Sequence, residues 1–440
     1  MADVKPFRGI RYNPEKFSDY KSLITPPYDV IDSNYQDELY SREPHNIVRI
    51  DYGKTLPEDN DTSNRYTRAA KTFSTWLEDG VLVRDAEPAL YYVEEDYKGE
   101  FDKPCTRRGF MAAVRVEDAD SGVYRPHEKT LAGPKADRLN LTKATGANLS
   151  PVFSLYDDAE YKIEAAFDNR ISKDTSPDIE LMSDEGTTIR MWLVKDPAVA
   201  KTVADVMKAK SFFIADGHHR YETALNYRNF MAAKNPAHTG HESWNYVLMY
   251  LVNLWSEGLS VLPTHRAVFG LEAFNSSTFI DELKEYFEVE KCVEGLPRLL
   301  EALRKVRGEK QAFGVIAEGG TLYMASLRTS VDTSKVFSNK PEALQKLDVT
   351  LLHGLIIEKI LGIDEKAQEE QRNLKYVKNA EELLKRVEDG EAQLGFLMNP
   401  TPVNQVKDAA ETGERMPQKS TYFFPKIVTG LVLNPLFDKE

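Results

Sequence analysis

Apolar residues return along this chain with two rhythms. Between residues 64 and 79, Tyr66, Ala69, Ala70, Phe73 and Leu77 recur every three to four positions, the spacing of one helix face, and Gly80 follows as a stop. Residues 89–97 and 108–116 are rich in aromatic and branched side chains, which predicts two strands joined by a polar hairpin connection. A helix near 200–208, a strand over 211–215 and a helix from about 219 to 233 come next. Residues 246–254 and 259–268 have the apolar density of further strands. Residues 7–30 differ, because Asn13-Pro14 and Pro26-Pro27 break them into extended pieces and the paired prolines hold Tyr28 and Asp29 on a stiff segment.

Beyond Phe269 the texture changes to charged amphipathic helices over 277–286 and 297–306, the second opening on a proline that a first helical turn tolerates. A hairpin over 312–327 turns on Gly319-Gly320, and a strand over 390–400, a helix to about Thr412 and a strand over 420–433 close the chain. Short strands mixed irregularly with helices predict an α+β fold rather than a doubly wound sheet. The change of texture sets a domain boundary near Phe269, with residues 1–269 as a core carrying N-terminal elaborations and 270–440 as a C-terminal α+β region.

The 57 basic and 70 acidic side chains leave a formal charge of -13, a field that repels nucleic-acid backbones, so no nucleic-acid partner is expected. The most apolar run, 246–254, is about half of the ~20 residues a membrane helix needs, and no basic region leads into an apolar stretch after Met1. A cytoplasmic protein without a membrane partner is the expectation. Cys105 and Cys292 stand far apart and suggest neither a disulfide framework nor a thiolate zinc site. Against the acidic background, residues 125–148 carry Arg125, Lys129, Lys135, Arg138 and Lys143, with His127 among them.

The strongest chemical signal follows the apolar run Phe212-Phe213-Ile214-Ala215. It continues as Asp216-Gly217-His218-His219-Arg220, after which Tyr221, Ala224 and Leu225 resume a helical period. In a strand-turn-helix, a glycine permits a tight turn and close ligand approach, and the unbonded amides of the helix start attract an anion. Arg220 adds a planar fork suited to two phosphate oxygens, and Asp216 could hold magnesium or accept a proton. His218 and His219 leave the helix start in different directions, so one of them is expected to face a ligand. The structural alternative is a capping aspartate, a histidine bonded to a carbonyl and a surface pair of Arg220 with Glu222 worth at most about 1 kcal/mol. Five functional residues in succession after a buried strand outweigh it. An arginine opposes the macrodipole at a helix start, which also speaks against a purely structural role.

Three further clusters are candidates. His127-Glu128-Lys129-Thr130, with Lys135, Asp137 and Arg138, reads either as a phosphate-facing group or as a solvated basic loop. In the 417–426 stretch, Lys419, Ser420 and Thr421 suit a phosphate but lack the glycines of a Walker loop, and this stretch is expected to fold back on the site. Pro26-Pro27-Tyr28-Asp29 offers one carboxylate on a rigid loop.

Together with 25–30 and 148–153, these motifs resemble the domain-of-unknown-function family DUF1015 nearly end to end. The Asp-Gly-His-His-Arg core is also similar to the phosphate-binding motif of the ParB/sulfiredoxin superfamily, which includes kinases that phosphorylate free L-serine. The resemblance implies a ParB/sulfiredoxin-like core that transfers phosphoryl to a small hydroxyl metabolite, free L-serine first, from a nucleotide or pyrophosphate donor with Mg2+. Carried over by residue, the transferred phosphate sits at Asp216, Gly217, His218, His219 and Arg220, and Asp29 stands for the upstream acidic base. His127, Lys129, Lys135, Arg138, Lys419, Ser420 and Thr421 would join Arg220 on the donor phosphates. Two alternatives compete. One is a nucleotide-binding ParB-like regulatory module, which the charge and the lack of a helix-turn-helix disfavour; the other is a metal-dependent hydrolase, which lacks ligands. Oligomeric state leaves no mark in the sequence.

Overall fold

The computed structural model describes residues 1–99, 102–126, 132–171, 175–417 and 419–437. The architecture is α+β, and the chain divides into two compact units. The first holds the described residues up to Ser260 together with those from Phe424 onward, and the second holds 261–423.

In the first unit the main sheet runs in the order Tyr124–Arg125, Phe212–Asp216, Val152–Tyr156, Tyr246–Asn253, Pro104–Arg115, Leu90–Lys98, Thr188–Val194, Ile179–Met182, with Val4–Lys5 paired to Pro104–Arg115. It is a mixed sheet. Tyr246–Asn253 lies parallel to Val152–Tyr156 and antiparallel to Pro104–Arg115, and all eight of its residues are buried, as an apolar run without alternation requires. The helix Arg65–Glu78 starts on a capping box between Asn64 and Thr67, which satisfies donors at its first turn. The helices Pro197–Met207 and His218–Lys234 press Val203, Met207, Tyr221 and Ala224 into the core that holds Phe212 and Ile214.

The second unit is built on an antiparallel sheet in the order Phe287–Cys292, Thr321–Leu327, Ala312–Ala317, Leu394–Leu397, His265–Val268, Leu374–Val377. Leu299 and Leu303 from the helix Leu296–Val306, and Leu383 and Val387 from Ala380–Glu388, pack on one cluster with Ile316 and Leu397. No helix among the described residues is long and apolar enough to cross a membrane.

Three readings of the sequence need correction. The 259–268 run forms two short strands, Ser260–Leu262 and His265–Val268, with Pro263 between them, where a ladder donor is missing. The 420–433 run is a strand only over Tyr422–Phe424, since Pro425 and the positive φ of Gly430 interrupt it. Within the basic stretch, Ala132–Thr145 is a helix. Its buried positions Arg138, Leu141, Thr142 and Thr145 do recur at helical spacing, but three of the four are polar, so apolar periodicity could not reveal them. The units divide after Ser260, and the described residues from Phe424 rejoin the first.

A buried ion pair crosses the middle of the first unit's sheet. Arg107, with no exposed surface, donates to Glu95 through Nε and Nη2 at 2.6 and 2.9 Å, and the Tyr250 hydroxyl donates to the same carboxylate at 2.9 Å. Burial opposes the arginine charge, but Glu95 and Tyr250 outweigh it and raise the pKa. Removing one partner of such a pair strands the other in apolar surroundings, at a cost of roughly 3 to 5 kcal/mol, whereas removing both costs far less. We therefore expect Arg107→Met to lower urea-unfolding stability by that amount and the double change with Glu95→Met to restore at least half of it. A loss below about 1 kcal/mol for the single change would show that the pair is not needed.

Candidate functional site

Phe212 and Ile214 bury on one side of their strand, and the register against Val152–Tyr156 shifts between Ile214 and Asp216. Such an irregularity re-aims the residues after it. Asp216 thus ends the strand half-buried, and Gly217 follows at φ 87°, a left-handed conformation that side-chain-bearing residues adopt only at a cost. The helix His218–Lys234 starts there with no side chain bonded as a cap. Tyr221 locks this start in place. Its hydroxyl donates to the Glu117 carbonyl at 3.1 Å and accepts from the Glu117 amide at 3.0 Å, and its ring lies 4.1 Å from that of Tyr124.

Around the turn the charges are closely paired. Asp216 accepts the Gly217 amide on Oδ1 at 2.7 Å and the Lys426 ammonium on Oδ2 at 2.5 Å. Arg220 folds back over Gly217, so that a Cβ on the glycine would fall 2.7 to 2.9 Å from the guanidinium group. One of its terminal nitrogens donates to the Pro151 carbonyl, and the other stands 3.8 Å from Asp216 Oδ1. Arg220 therefore has structural partners as well as a place beside the helix start, contrary to the expectation from the macrodipole alone. His218 is buried and His219 half-buried.

A second group of charges adjoins Arg220. Arg138, on the helix Ala132–Thr145, donates to the Asp51 carbonyl at 2.8 Å and to Asp51 Oδ1 at 3.2 Å, contacts Asp137 Oδ2 at 2.8 and 2.6 Å, and lies 4.0 Å from the centre of the Tyr28 ring. Burial raises the Asp51 pKa, against the pull of Arg138 and Arg220. Tyr28 is pushed up to about 12 by burial, again opposed by Arg138 and Arg220, with Asp29 adding to the rise. Asp137 also feels burial, but Arg138, Tyr66 and Arg65 outweigh it and lower its pKa. A small cavity of about 30 Å³ lies among Asp51, Arg138, Thr142, Ser150, Arg220 and Thr223. Lys135 pairs with Glu222 at 2.9 Å and ties the two helices together.

Segments far apart in the chain thus meet in the first unit: the Pro-Pro-Tyr-Asp loop, the Asp137-Arg138 pair, the carbonyl of Pro151 and the 216–220 turn. Asp29 is exposed on the short 3-10 helix Tyr28–Val30. His127 and Lys129 lie outside the described residues. Lys419, Ser420 and Thr421 belong to the second unit. There the Lys419 carbonyl accepts from Arg266 at 3.1 Å, the Ser420 hydroxyl donates to the Pro417 carbonyl at 2.6 Å, and Thr421 is buried. From the 417–426 stretch it is Lys426 that joins Asp216. Sequence reasoning also missed Asp51, which follows Val48, Arg49 and Ile50 with nothing to mark it as more than a surface acid, and Thr223, one turn into the helix. Among the described residues no three His, Cys, Asp or Glu side chains gather as metal ligands.

The turn at Gly217 sets the position of Arg220, which gives a direct test. Gly217→Ala should cost about 1 to 2 kcal/mol for the left-handed backbone, and its methyl group should displace the guanidinium group. Calorimetry should then show pyrophosphate affinity falling at least tenfold, a loss of about 1.4 kcal/mol, with the protein still folded. Retained affinity would show that Arg220 need not lie over the turn.

No curated protein matches the chain. Among solved structures, a conserved hypothetical protein from Pyrococcus furiosus is similar at 15% identity and a TM-score of 0.34, over 73% of this chain and 95% of that one. A free serine kinase in complex with AMP is similar at 14% identity and a TM-score of 0.33, over 73% of this chain and 92% of that one. SbnI with a C-terminal truncation, from Staphylococcus aureus, is similar at 11% identity and a TM-score of 0.34, over 74% and 87%. Likenesses this distant assign no role to any residue. The family model described as protein of unknown function DUF1015 matches residues 4–350, and the chain belongs to that family.

Proposed function

We propose that this protein is a phosphotransferase that moves a phosphoryl group from a nucleotide or pyrophosphate to a small hydroxyl metabolite, with free L-serine as the first candidate. The observation that carries the reading is the Gly217 turn. It brings a helix start without a side-chain cap and the Arg220 guanidinium group to one place, beside the Asp216 and Lys426 pair. Serine comes from the likeness of the Asp-Gly-His-His-Arg motif to that of the serine kinases, not from structural similarity.

Phosphoryl transfer asks a protein chiefly for positioning and charge neutralisation. Helix amides, Arg220 and Arg138 suit the donor phosphates, and Lys426 could exchange Asp216 for a phosphate oxygen. The acceptor hydroxyl oxygen bonds to phosphorus as the bond from phosphorus to the leaving oxygen breaks. The hydroxyl proton passes to a carboxylate, and Asp29, exposed on its stiff loop, is the candidate. His219 is the histidine with more access to a ligand. Magnesium in this reading arrives on the donor phosphates. Asp216 is already bonded on both oxygens, so no protein cage for the ion is assigned. The cytoplasm supplies such donors and metabolites, and the charge of -13 makes nucleic acid an unfavourable partner.

The test is to incubate the purified chain with serine and other hydroxyl metabolites against ATP, ADP and pyrophosphate, and to look for phosphorylated product. Nucleotide binding without product across the panel would favour the ParB-like module instead. Arg220→Ala should weaken donor binding at least about tenfold, and Arg220→Lys should not restore it, because a point charge cannot replace a two-pronged contact. Loss of the Pro151 contact should lower the melting temperature by a few degrees in both variants. A large fall in melting temperature with unchanged affinity would make Arg220 structural and end the proposal.

A further inference from the structure

Asp51 stands outside every motif, yet it lies at the centre of the buried charges. We propose that Asp51 is a positioning residue that fixes Arg138, which lines one cavity with Arg220, in the orientation a phosphate ligand meets. This rests on the phosphotransferase reading above.

The geometry is specific. Asp51 ends the short helix Val48–Asp51 and is 2% exposed. It engages Arg138 twice, through its carbonyl and through Oδ1. Asp137 takes the remaining side of the fork, the Tyr28 ring covers its face, and Asp137 is itself held by Arg65 and by the Tyr66 hydroxyl at 2.8 Å. The Arg138 guanidinium group is therefore oriented from three elements before any ligand arrives. Preorganisation of this kind lowers the entropy lost when a ligand is gripped.

Asp51 Oδ2 has no hydrogen-bond partner among the described residues, and neither has the hydroxyl oxygen of Thr223, which is 3% exposed. Both residues line the small cavity with Arg138 and Arg220, and its volume of about 30 Å³ admits a water molecule or the donor group of a ligand. Asp51 Oδ2 thus offers an acceptor to whatever donor enters the cavity, while Oδ1 stays on Arg138. Its charge cannot help to hold an anion. By Coulomb's law a carboxylate beside a phosphate weakens binding, so any favourable contribution must come through the orientation of Arg138.

That sign makes the test clear. Asp51→Leu removes both the charge and the side-chain acceptor for Arg138, whereas Asp51→Asn removes the charge and keeps an acceptor oxygen. If Asp51 positions Arg138, pyrophosphate affinity by calorimetry falls at least tenfold in the leucine variant, stays within about threefold of the parent or tightens in the asparagine variant, and circular dichroism stays unchanged in both. Unchanged or tighter binding in the leucine variant overturns the proposal. Arg138→Lys should weaken binding to a similar degree, and its combination with Asp51→Leu should bind within twofold of Arg138→Lys alone, because Asp51 acts through Arg138. Multiplying losses would mean a general structural effect and would also overturn it. Should the leucine variant melt below the assay temperature, Asp51→Ala takes its place with the same expectation. If Arg220→Ala leaves binding intact, the phosphotransferase reading fails. If it abolishes binding while Asp51→Leu does not, only the role of Asp51 fails.

Discussion

A strand that turns sharply into a helix needs one residue with positive φ, and here that residue also has to leave room for an arginine. Gly217 meets both demands, with φ at 87° and a guanidinium group lying where a Cβ would sit. The arrangement of the site follows from this contact. Because Arg220 folds back over the turn, it can reach the Pro151 carbonyl just before the neighbouring strand and still lie beside Asp216. Were the turn regular, the same arginine would project from the first helical turn toward solvent and the strand end would carry an isolated acid. Tyr221 makes the contact stable by tying the helix start to Glu117, so that the turn is held from the core side as well.

The second constraint is the burial of charge. Arg138 and Asp51 both lie almost out of contact with solvent, and a lone charge in such surroundings would neutralise itself or be expelled. They persist because each supplies the other, and because Asp137 and the Tyr28 ring share the load. The Arg107 and Glu95 pair in the same unit follows the same rule with a different outcome. It sits among apolar side chains with Tyr250, away from the small cavity, and serves the fold. Both pairs keep one buried polar atom without a partner among the described residues, Arg107 Nη1 and Asp51 Oδ2, but of the two it is the Asp51 group that lines the small cavity.

Elements with clean periodicity were legible in the sequence. The helix Arg65–Glu78, the hairpin of Leu90–Lys98 with Pro104–Arg115 and the strand Tyr246–Asn253 all lie where apolar spacing predicts them, within a residue or a few at the ends. The 216–220 turn was legible for a different reason, since a buried strand that runs into a glycine and several polar residues must leave the core at that point. The helix Ala132–Thr145 was not. It buries the polar residues Arg138, Thr142 and Thr145, so its inward face looks like an outward one. Asp51 was hidden in the same way, as a single acid after three ordinary residues.

These two failures have one cause, and it bears on how the site works. Hydrophobic patterning assumes that what is buried is apolar, which holds wherever burial serves stability alone. A site for an anion reverses the assumption, because its cations must be withdrawn from water to bind strongly and must bring their counter-charges with them. The helix that carries Arg138 looks polar on its buried face because its arginine is withdrawn from water together with Asp51 and Asp137. The helix Ala132–Thr145 and Asp51 are of this kind, whereas 259–268 and 420–433 were misread because proline or glycine interrupts them. In the first unit these buried polar groups meet beside the Gly217 turn, where Asp51 and Arg138 line one small cavity with Arg220.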